Sequence, residues 1–398
     1  MANIISQLVA FSGSIIYVHL MNQQQFGIYA FAYTIISFFL LLNGFGAASG
    51  VLQFVSAAKN ELEGLAYFKY ALRLGVVFNG GLALGIFLYA TFIPIPLNGA
   101  AKALYLMALF PIGRLYIDVV QAYLRATCQN HRLAKFAISV NLILLFINIG
   151  GIYWNGLIGF IVSTYIAYII IISLSIFVYK LPNVFNLQVP LINQKRFMGY
   201  SVYIAFGNAF SQLLFILDII ILGYIIRDAH TVAIYKVATV IPFSINFIPG
   251  IVSSFFYPYF AKNAANLNYI MQLKRQLQQK MFIFSFIVSL LLIIMAKPII
   301  TIIFGEIYQE SIIPFQILSF GFWILATFRN INGNILASLG QAKFAMWLNI
   351  GIVIINIILT CILVTHFGII GAAIGVVIIY ILSSMIAAIV LNRILLRG

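Results

Sequence analysis

The sequence predicts an all-α, polytopic membrane protein with about twelve transmembrane helices, and three observations lead to that fold class. Of its 398 residues, 64% are hydrophobic and 7% are charged, whereas an ordinary soluble domain has roughly 45–50% apolar and about 25% charged residues. The gaps between apolar runs are shorter than about 20 residues, which leaves no segment long enough for a separate soluble domain. The basic residues fall mainly in every second gap, as expected for cytoplasmic loops.

Twelve spans are predicted because a membrane-crossing helix needs about 20 mainly apolar residues. Gly, Pro, Asn and charged clusters mark the ends. The predicted spans are 3–20, 26–49, 71–94, 101–125, 134–154, 157–179, 198–226, 230–261, 278–303, 312–336, 343–365 and 370–392. The first run has neither a basic start nor a small-residue cleavage site, so we expect a helix there and not a signal peptide. Pro242, Pro249 and Pro258, with Gly250, are expected to bend the eighth span, and Pro298 the ninth.

The distribution of lysine and arginine predicts that both termini lie in the cytoplasm. With that orientation most of the 22 basic residues are cytoplasmic, and the opposite side holds Lys102, Arg227 and Lys297. The net charge of +15 is therefore interpreted as a topology signal and not as a nucleic-acid surface. Cys128 and Cys361 have neither CxxC nor Cys/His spacing, so no disulfide or metal site is predicted.

An internal repeat predicts that the chain consists of two similar halves. The tetrapeptide Ala-Lys-Phe-Ala at 134–137 recurs at 342–345, and Asn148 corresponds to Asn356. Six spans in each half make the two copies parallel, related by a pseudo-two-fold axis along the membrane normal. We therefore predict an N-terminal six-helix lobe at 1–180, a cytoplasmic linker at 181–196 and a C-terminal six-helix lobe at 197–398. The paired asparagines are expected to form hydrogen bonds between helices.

Five charged residues fall within predicted spans, and each would cost about 2.5–3.5 kcal/mol if it faced lipid. They are Arg114, Asp118, Asp218, Lys236 and Arg329. All five are therefore expected to face protein or water. Arg114 and Asp118 are four residues apart on one helix, so they form either a structural ion pair or part of a transport pathway.

The other three embedded charges lie in the second half of the sequence. Asp218 and Lys236 are predicted at similar depth in adjacent helices. There they would form either a purely structural ion pair or a switchable pair that contacts substrate or a coupling ion. Arg329 has no acid in its own helix, and a guanidinium fits phosphate oxygens in a bidentate fork. We therefore regard Arg329 as the best candidate for binding an anion. His19 is interpreted as a polar residue at the helix end or as a ligand-binding residue.

Four weak motifs occur in an order that resembles a known family. They are Phe26-Gly27-Ile28-Tyr29; Leu217-Asp218 and Leu222-Gly223 ahead of Tyr235; Phe304-Gly305-Glu306-Ile307-Tyr308; and Ala337-Ser338-Leu339-Gly340-Gln341 leading into Phe367-Gly368-Ile369-Ile370-Gly371-Ala372-Ala373. This order resembles the polysaccharide transporters of the multidrug/oligosaccharidyl-lipid/polysaccharide exporter superfamily over nearly the whole chain. His19 stands where members of that family carry a basic residue, which puts one expected phosphate-binding charge in doubt.

The resemblance implies a flippase that moves an undecaprenyl-diphosphate-linked oligosaccharide, an O-antigen or capsule repeat unit, across a bacterial inner membrane by alternating access. It implies contact with membrane lipids, coupling to H+ or Na+, and polysaccharide polymerase and chain-length proteins as partners, with no catalysis, no cofactor and no nucleic acid. The substrate-binding candidates are Arg329, Lys236, Arg114, His19, Tyr29 and Tyr235. Asp218 and Asp118 are the candidates for charge partners or for coupling.

Two other functions stay open at this point. A cation-coupled drug exporter of the same superfamily would need more intramembrane acids than Asp118 and Asp218. A membrane polymerase or glycosyltransferase acting on the same glycolipid is disfavoured, because the sequence has no DxD motif, short outer loops and a repeat that an asymmetric active site would not need.

Overall fold

The computed structural model describes residues 2–177, 191–264 and 266–396, and every element in these ranges is helical. The first eight helices are α1 Ala2–Leu20, α2 Gln23–Leu40, α3 Ala47–Ser56, α4 Glu61–Phe92, α5 Ala100–Met107, α6 Phe110–Ala126, α7 Asn130–Phe177 and α8 Leu191–Leu213. The others are α9 Leu217–Ile226, α10 Ala229–Ile245, α11 Phe247–Lys262, α12 Leu267–Ile294, α13 Ala296–Pro298, α14 Ile312–Ile324, α15 Asn330–Ser338 and α16 Ala342–Leu396. Most of the predicted linker 181–196 lies outside the described residues.

The all-α membrane fold is confirmed, whereas the count of twelve spans stays a prediction. Among the described residues, seven helical segments are long and apolar enough to cross a membrane, or nine if each of two bent helix pairs is one span. Two of the seven, within α7 and α16, contain a break at the position where the sequence predicts a gap between two spans. Each therefore corresponds to a predicted pair of spans.

These breaks turn α7 and α16 back on themselves. Gly156 has φ 50 and ψ −128, and Gly368 has φ 57 and ψ −132, a conformation that glycine adopts without the steric cost of a Cβ. A Cβ on Gly371 would lie 1.9 Å from the carbonyl oxygen of Leu363, so the two arms of α16 pass in direct contact. The two hairpins share nearly the same backbone geometry at their turns.

The predicted hydrogen bonding of Asn148 between helices is confirmed. The hydroxyl groups of Ser163 and Thr164, on the returning arm of α7, donate to its Oδ1 at 2.8 and 3.1 Å. The corresponding Asn356 accepts from Thr360 of its own helix arm at 2.9 Å. The hydrogen bonds of Asn148 thus link the two arms of α7, whereas the hydrogen bond from Thr360 to Asn356 lies within one arm of α16.

The predicted second span, 26–49, lies within one membrane-spanning segment, Gln23–Ser56, whose helix is interrupted. Between α2 and α3 lies a 3-10 turn at Asn43–Gly46 in which Gly44 and Phe45 have φ values of 54 and 48. Gly46, with φ 76, lies so close to the backbone of Ser201 that a Cβ would come within 2.3 Å of its carbonyl oxygen. The helix breaks here because two glycines permit a left-handed backbone.

Further interruptions lie in the second half of the chain. Helices α10 and α11 meet at Asn246, between Pro242 and Pro249, which cannot donate a backbone N–H to the helix. A π-helical segment, Ile299–Phe304, follows Pro298, and a second one, Leu325–Arg329, joins α14 to α15. Segments of this kind occur frequently at functional sites.

The chain forms two compact units, which we call unit 1 (Met1–Gln212) and unit 2 (Leu213–Gly398). Their boundary lies beyond the predicted linker at 181–196, because the first part of α8 packs within unit 1. The ring of Phe197 is fully buried there, stacked on Tyr67 at 6.0 Å and 5.4 Å from Phe54. The division into lobes at 1–180 and 197–398 stays a prediction.

Candidate functional site

Unit 1 contains a cavity of about 420 Å³ with a mixed polar and aromatic lining. It is lined by Tyr33, Ile36, Ser37, Leu40, Leu41, Asn43, Phe110, Arg114, Asp118, Tyr168 and Gln212. These residues come from α2 and the turn after it, α6, the returning arm of α7, and α8. The cavity therefore lies where the broken second span meets the charged helix α6.

Arg114 and Asp118 form the ion pair that their spacing on α6 predicts. Nε of Arg114 lies 3.1 Å from Oδ1 of Asp118 and donates to Oδ2 at 3.3 Å. The two side chains are 48% and 28% exposed, so they face the cavity and not a sealed core. Because both contacts use Nε, the two terminal Nη nitrogens of Arg114 have no hydrogen-bond partner among the described residues.

A chain of amide side chains connects this ion pair to the broken helix. Nδ2 of Asn43 donates to Oδ2 of Asp118 at 2.9 Å, and Oδ1 of Asn43 accepts from Asn79 at 2.6 Å. Asn79 is fully buried on α4, accepts from the backbone N–H of Gly44 at 2.7 Å and donates to the carbonyl of Pro111 at 2.6 Å. Asn79 therefore satisfies the backbone N–H that the helix break leaves open and ties the turn to the start of α6.

Sequence reasoning missed Asn43 and Asn79. The available signal was the presence of an amide in each of two apolar spans, where polar side chains usually serve a contact inside the protein. Their meeting depends on the break after α2, which the sequence analysis did not predict. Tyr33 and Tyr168, which line the cavity, were also missed because aromatic residues are abundant throughout the chain.

Two unit 1 candidates lie outside the lining of this cavity. Tyr29 lies behind Tyr33, with ring centroids 5.6 Å apart, and its ring meets Phe160 edge-on at 4.8 Å. It therefore supports the aromatic wall of the cavity from behind. His19 is exposed in the last turn of α1, and neither residue is among the lining side chains.

Arg329 forms the corresponding cationic group of unit 2. It ends the π-helical segment Leu325–Arg329, and its guanidinium carbon lies 6.0 Å from the ring centroids of both Phe215 and Tyr380. Within the described residues no acid lies within 4.0 Å of it, so aromatic faces are its recorded partners. This geometry is that of a cation–π contact at its outer limit. The next residue, Asn330, donates to Asn246 at the break between α10 and α11, at 3.1 Å.

Asp218 and Lys236 have no N–O contact within 4.0 Å, although their charges still act on each other over a longer distance, so their pairing stays a prediction. Asp218 is fully buried and accepts a hydrogen bond from the hydroxyl of Tyr235 at 2.7 Å and another from the backbone N–H of Ile219 at 2.9 Å. Successive residues of a helix point about 100° apart, and it is Tyr235, not Lys236, that makes the direct contact with Asp218. Lys236 is half-buried, and no acid of the described residues lies within 4.0 Å of it.

Unit 2 also has a cavity, of about 300 Å³, but its lining is almost wholly apolar. It is lined by Ile324, Phe328, Ile381, Ser384, Met385 and Ala388. Arg329 and Lys236 are not among these residues. The described polar cavity therefore belongs to unit 1, and the two cations of unit 2 lie outside the apolar one.

Comparison with known proteins relates this arrangement to a family and to a fold. The family model described as "Polysaccharide biosynthesis protein" matches residues 16–313. An uncharacterized membrane protein of Methanocaldococcus jannaschii is 30% identical over 212 residues, which is 50% of this chain and 40% of that relative. The chain thus matches less than half the length of this curated relative.

Three solved structures have a similar fold. An inward-facing multidrug resistance MATE family transporter of the MOP superfamily superposes with a TM-score of 0.78 and 11% identity, covering 98% of this chain and 96% of that one. The lipid II flippase MurJ, in an inward closed conformation, gives 0.74 and 16%, covering 98% and 86%. A MOP superfamily transporter from Pyrococcus furiosus gives 0.67 and 13%, covering 99% and 93%. At these identities the likeness shows the fold.

Proposed function

The chain belongs to the polysaccharide biosynthesis protein family, and on that premise we propose that it is a flippase for an undecaprenyl-diphosphate-linked oligosaccharide. It would move an O-antigen or capsule repeat unit across a bacterial inner membrane by alternating access, with both termini in the cytoplasm. Such a cargo has an anionic diphosphate, a polar saccharide and a long apolar tail. The protein has to bind the first two away from lipid, while the tail stays in the bilayer.

The observation that carries the proposal is the free side of Arg114 in the cavity of unit 1. Asp118 contacts only Nε, so the two terminal nitrogens can donate to phosphate oxygens as a planar fork. A cation held in a partly dehydrated cavity attracts phosphate more strongly than the same cation in bulk water. Arg114 is therefore the proposed diphosphate ligand in unit 1.

The rest of the cavity fits the saccharide. Tyr33 and Tyr168 supply aromatic faces, and Ser37, Asn43 and Gln212 supply hydroxyl and amide groups, which together suit the apolar faces and hydroxyl groups of sugars. A volume of about 420 Å³ lies within the range of roughly 300–1,000 Å³ that is usual for small-ligand sites. It suits the diphosphate and the first sugars, and a longer saccharide would extend beyond it.

Arg329 and Lys236 are the proposed anion-binding residues of unit 2. Neither has an acid within 4.0 Å among the described residues, so their positive charge is available to cargo. Proton or sodium coupling would use Asp118 or Asp218, and polymerase and chain-length proteins are the proposed partners. A cationic drug is a poorer cargo, because Asp118 is already engaged by Arg114 and Asn43, and Asp218 by Tyr235.

The proposal is tested with purified protein in proteoliposomes that contain a fluorescent undecaprenyl-diphosphate-linked saccharide. Movement between leaflets is measured as the fraction of fluorophore that a membrane-impermeant reductant can quench. The protein should accelerate this movement well above protein-free liposomes, and Arg114→Ala should slow it by about tenfold or more, the size expected when a charged hydrogen-bond donor is lost.

Lys102→Ala is the matched control, because it removes one exposed positive charge from the same unit outside the cavity. It should transport cargo like the wild type. Absence of flipping by the wild type, or equal rates for Arg114→Ala and Lys102→Ala, would count against the proposal. Uptake of a cationic dye by the same proteoliposomes, without flipping of the glycolipid, would favour the drug-exporter alternative.

A further inference from the structure

Asp118 is an acid placed beside the cation of a cavity that, in the proposed function, receives an anion. Its carboxylate lies 3.1 Å from Nε of Arg114 and is 28% exposed. A negative charge at this position cancels that of the guanidinium and repels an incoming phosphate. The cavity would bind an anion more tightly without the charge of Asp118. Asp118 therefore has a role other than strengthening the binding of the anion.

The contacts of Asp118 connect the cavity to the break in the second span. Its Oδ2 accepts from Arg114 at 3.3 Å and from Asn43 at 2.9 Å, so one oxygen serves both groups. Asn43 begins the 3-10 turn, and Asn79 binds both Asn43 and the backbone N–H of Gly44. A change in the position of the Asp118 carboxylate therefore reaches Asn43 through one hydrogen bond and the N–H of Gly44 through three.

We infer that Asp118 is a specificity-determining residue that makes the cavity respond to a diphosphate and not to singly charged anions. The inference rests on the proposed function. A singly charged anion that replaced Asp118 at Arg114 would only exchange one unit charge for another. A diphosphate brings additional charge and more acceptor oxygens, so it can occupy the Nη fork and displace the carboxylate from Nε. The displaced carboxylate releases Asn43, and the turn at Asn43–Gly46 loosens.

The first test measures the binding of inorganic pyrophosphate and of dimethyl phosphate, a diester with a single negative charge, to the purified full-length protein by calorimetry. The wild type should bind pyrophosphate in preference to dimethyl phosphate. Asp118→Asn keeps the shape of the side chain and removes its charge, so the affinity for pyrophosphate should rise about fivefold and the affinity for dimethyl phosphate should rise by more. The preference for pyrophosphate over dimethyl phosphate should therefore become smaller.

Glu61→Gln is the matched control, since it removes one negative charge at an exposed position in the first turn of α4, away from the cavity. It should bind both anions like the wild type. If Asp118→Asn bound pyrophosphate no more tightly than Glu61→Gln, Asp118 would not compete with the anion and the inference would be overturned.

The second test follows the turn itself by hydrogen–deuterium exchange of the segment 41–47. Saturating pyrophosphate should speed the exchange of these amides in the wild type, because the contact with Asp118 that anchors Asn43 is lost. In Asp118→Asn, Arg114 no longer holds a charged competitor, so pyrophosphate should leave the exchange rate unchanged. Unaltered exchange in wild-type protein saturated with pyrophosphate would overturn the link between anion and turn.

These outcomes separate the inference from the function on which it rests. Wild-type protein that bound no pyrophosphate would contradict both. Protein that flipped the glycolipid and lost flipping in Arg114→Ala, but bound pyrophosphate equally in Asp118→Asn and the wild type, would leave the proposed function standing and remove the role of Asp118 in selectivity.

Discussion

The two units both place an arginine near a break in a helix, and they differ in how its charge is balanced. In unit 1, Arg114 lies 3.1 Å from Asp118 and faces a polar cavity. In unit 2, Arg329 lies 6.0 Å from the rings of Phe215 and Tyr380 and, among the described residues, has no acid within 4.0 Å. A carboxylate neutralises the cation, whereas aromatic faces hold it and leave its net charge intact. The comparison teaches that an embedded arginine can be held either by a carboxylate that cancels its charge or by aromatic rings that do not.

The largest expected effect comes from removing the unbalanced cation. Arg329→Ala should slow glycolipid flipping in proteoliposomes by about 10- to 100-fold, because charged hydrogen bonds contribute roughly 1.5–3 kcal/mol. Arg329→Lys should restore part of the rate, since the charge is kept and the planar fork is lost. Lys297→Ala, a change of the same charge at an exposed residue, serves as control. If Arg329→Ala transported cargo at the wild-type rate, with equal protein level by immunoblot, Arg329 would have a structural role only. The proposed difference between Arg114 and Arg329 in anion binding would then be lost.

The next effect concerns the amide that supports the break in unit 1. Asn79→Ala should lower the free energy of unfolding by about 2–4 kcal/mol, because it removes the acceptor of the buried N–H of Gly44 and the donor to the amide oxygen of Asn43. Thermal unfolding of the detergent-solubilised protein measures the change. Asn141→Ala is the control, since the half-buried Asn141 donates only to the carbonyl of Ala137 in its own helix. Equal melting of the two variants would show that the turn does not depend on Asn79.

A smaller effect is expected for the acid of unit 2. Tyr235→Phe should destabilise the protein by about 1–3 kcal/mol, because the buried carboxylate of Asp218 loses its hydroxyl donor. Asp218→Asn should be milder, since an amide oxygen still accepts that hydrogen bond without a buried charge. The double variant should be less destabilised than the sum of the single changes, as expected for residues in contact. Additive effects would show that the two side chains act independently.

The smallest effect concerns the N-terminal caps of α2 in unit 1 and α10 in unit 2. The side chain of Asn22 caps α2 by accepting a hydrogen bond from the backbone N–H of Gln25. The side chain of Asp228 caps α10 by accepting from the backbone N–H groups of His230 and Thr231. Burial alone would raise the pKa of Asp228, but hydrogen bonds from Thr231 and His230 outweigh it and lower that pKa below its usual value. The charged cap is therefore fully stabilising above the ordinary pKa of about 3.9 and is lost as pH falls through the lowered pKa of the folded state.

Asp228→Asn removes this titration, so its unfolding free energy should differ from that of the wild type by about 1 kcal/mol or less at neutral pH. The difference should shrink in acid. The same measurement on Asn22→Ser, a change of cap without a charge, should give a difference that does not vary with pH. A pH-dependent difference for Asn22→Ser would remove this contrast between the units.

Two features were predictable from sequence: an ion pair between charged residues and the turns at two glycines. The ion pair between Arg114 and Asp118 follows from their spacing on one helix, and the hairpin turns at Gly156 and Gly368 fall where gaps between spans were predicted. Depth in the membrane does not determine which of two adjacent residues contacts the neighbouring helix, so the sequence did not predict the direct hydrogen-bond partner of Asp218. That partner is Tyr235.

The contacts that sequence could not predict join distant residues. Asn43 and Asn79 meet only because the helix breaks after α2, and that break depends on support from Asn79 and on close packing against Ser201. The packing of Phe197 in unit 1 likewise depends on aromatic rings on other helices. Local patterns predict where a helix lies, and mutual support of this kind decides which residues it contacts.

The π-helical segment Leu325–Arg329 has a consequence for the register of the tenth predicted span. A π turn contains an extra residue compared with an α turn, so it rotates all that follows by about 100° relative to an unbroken helix. The direction of Arg329 thus depends on the length of the chain as well as on its chemistry. Deletion of one residue within 325–328 would restore a regular helix while keeping the arginine, and would turn its guanidinium away from Phe215 and Tyr380.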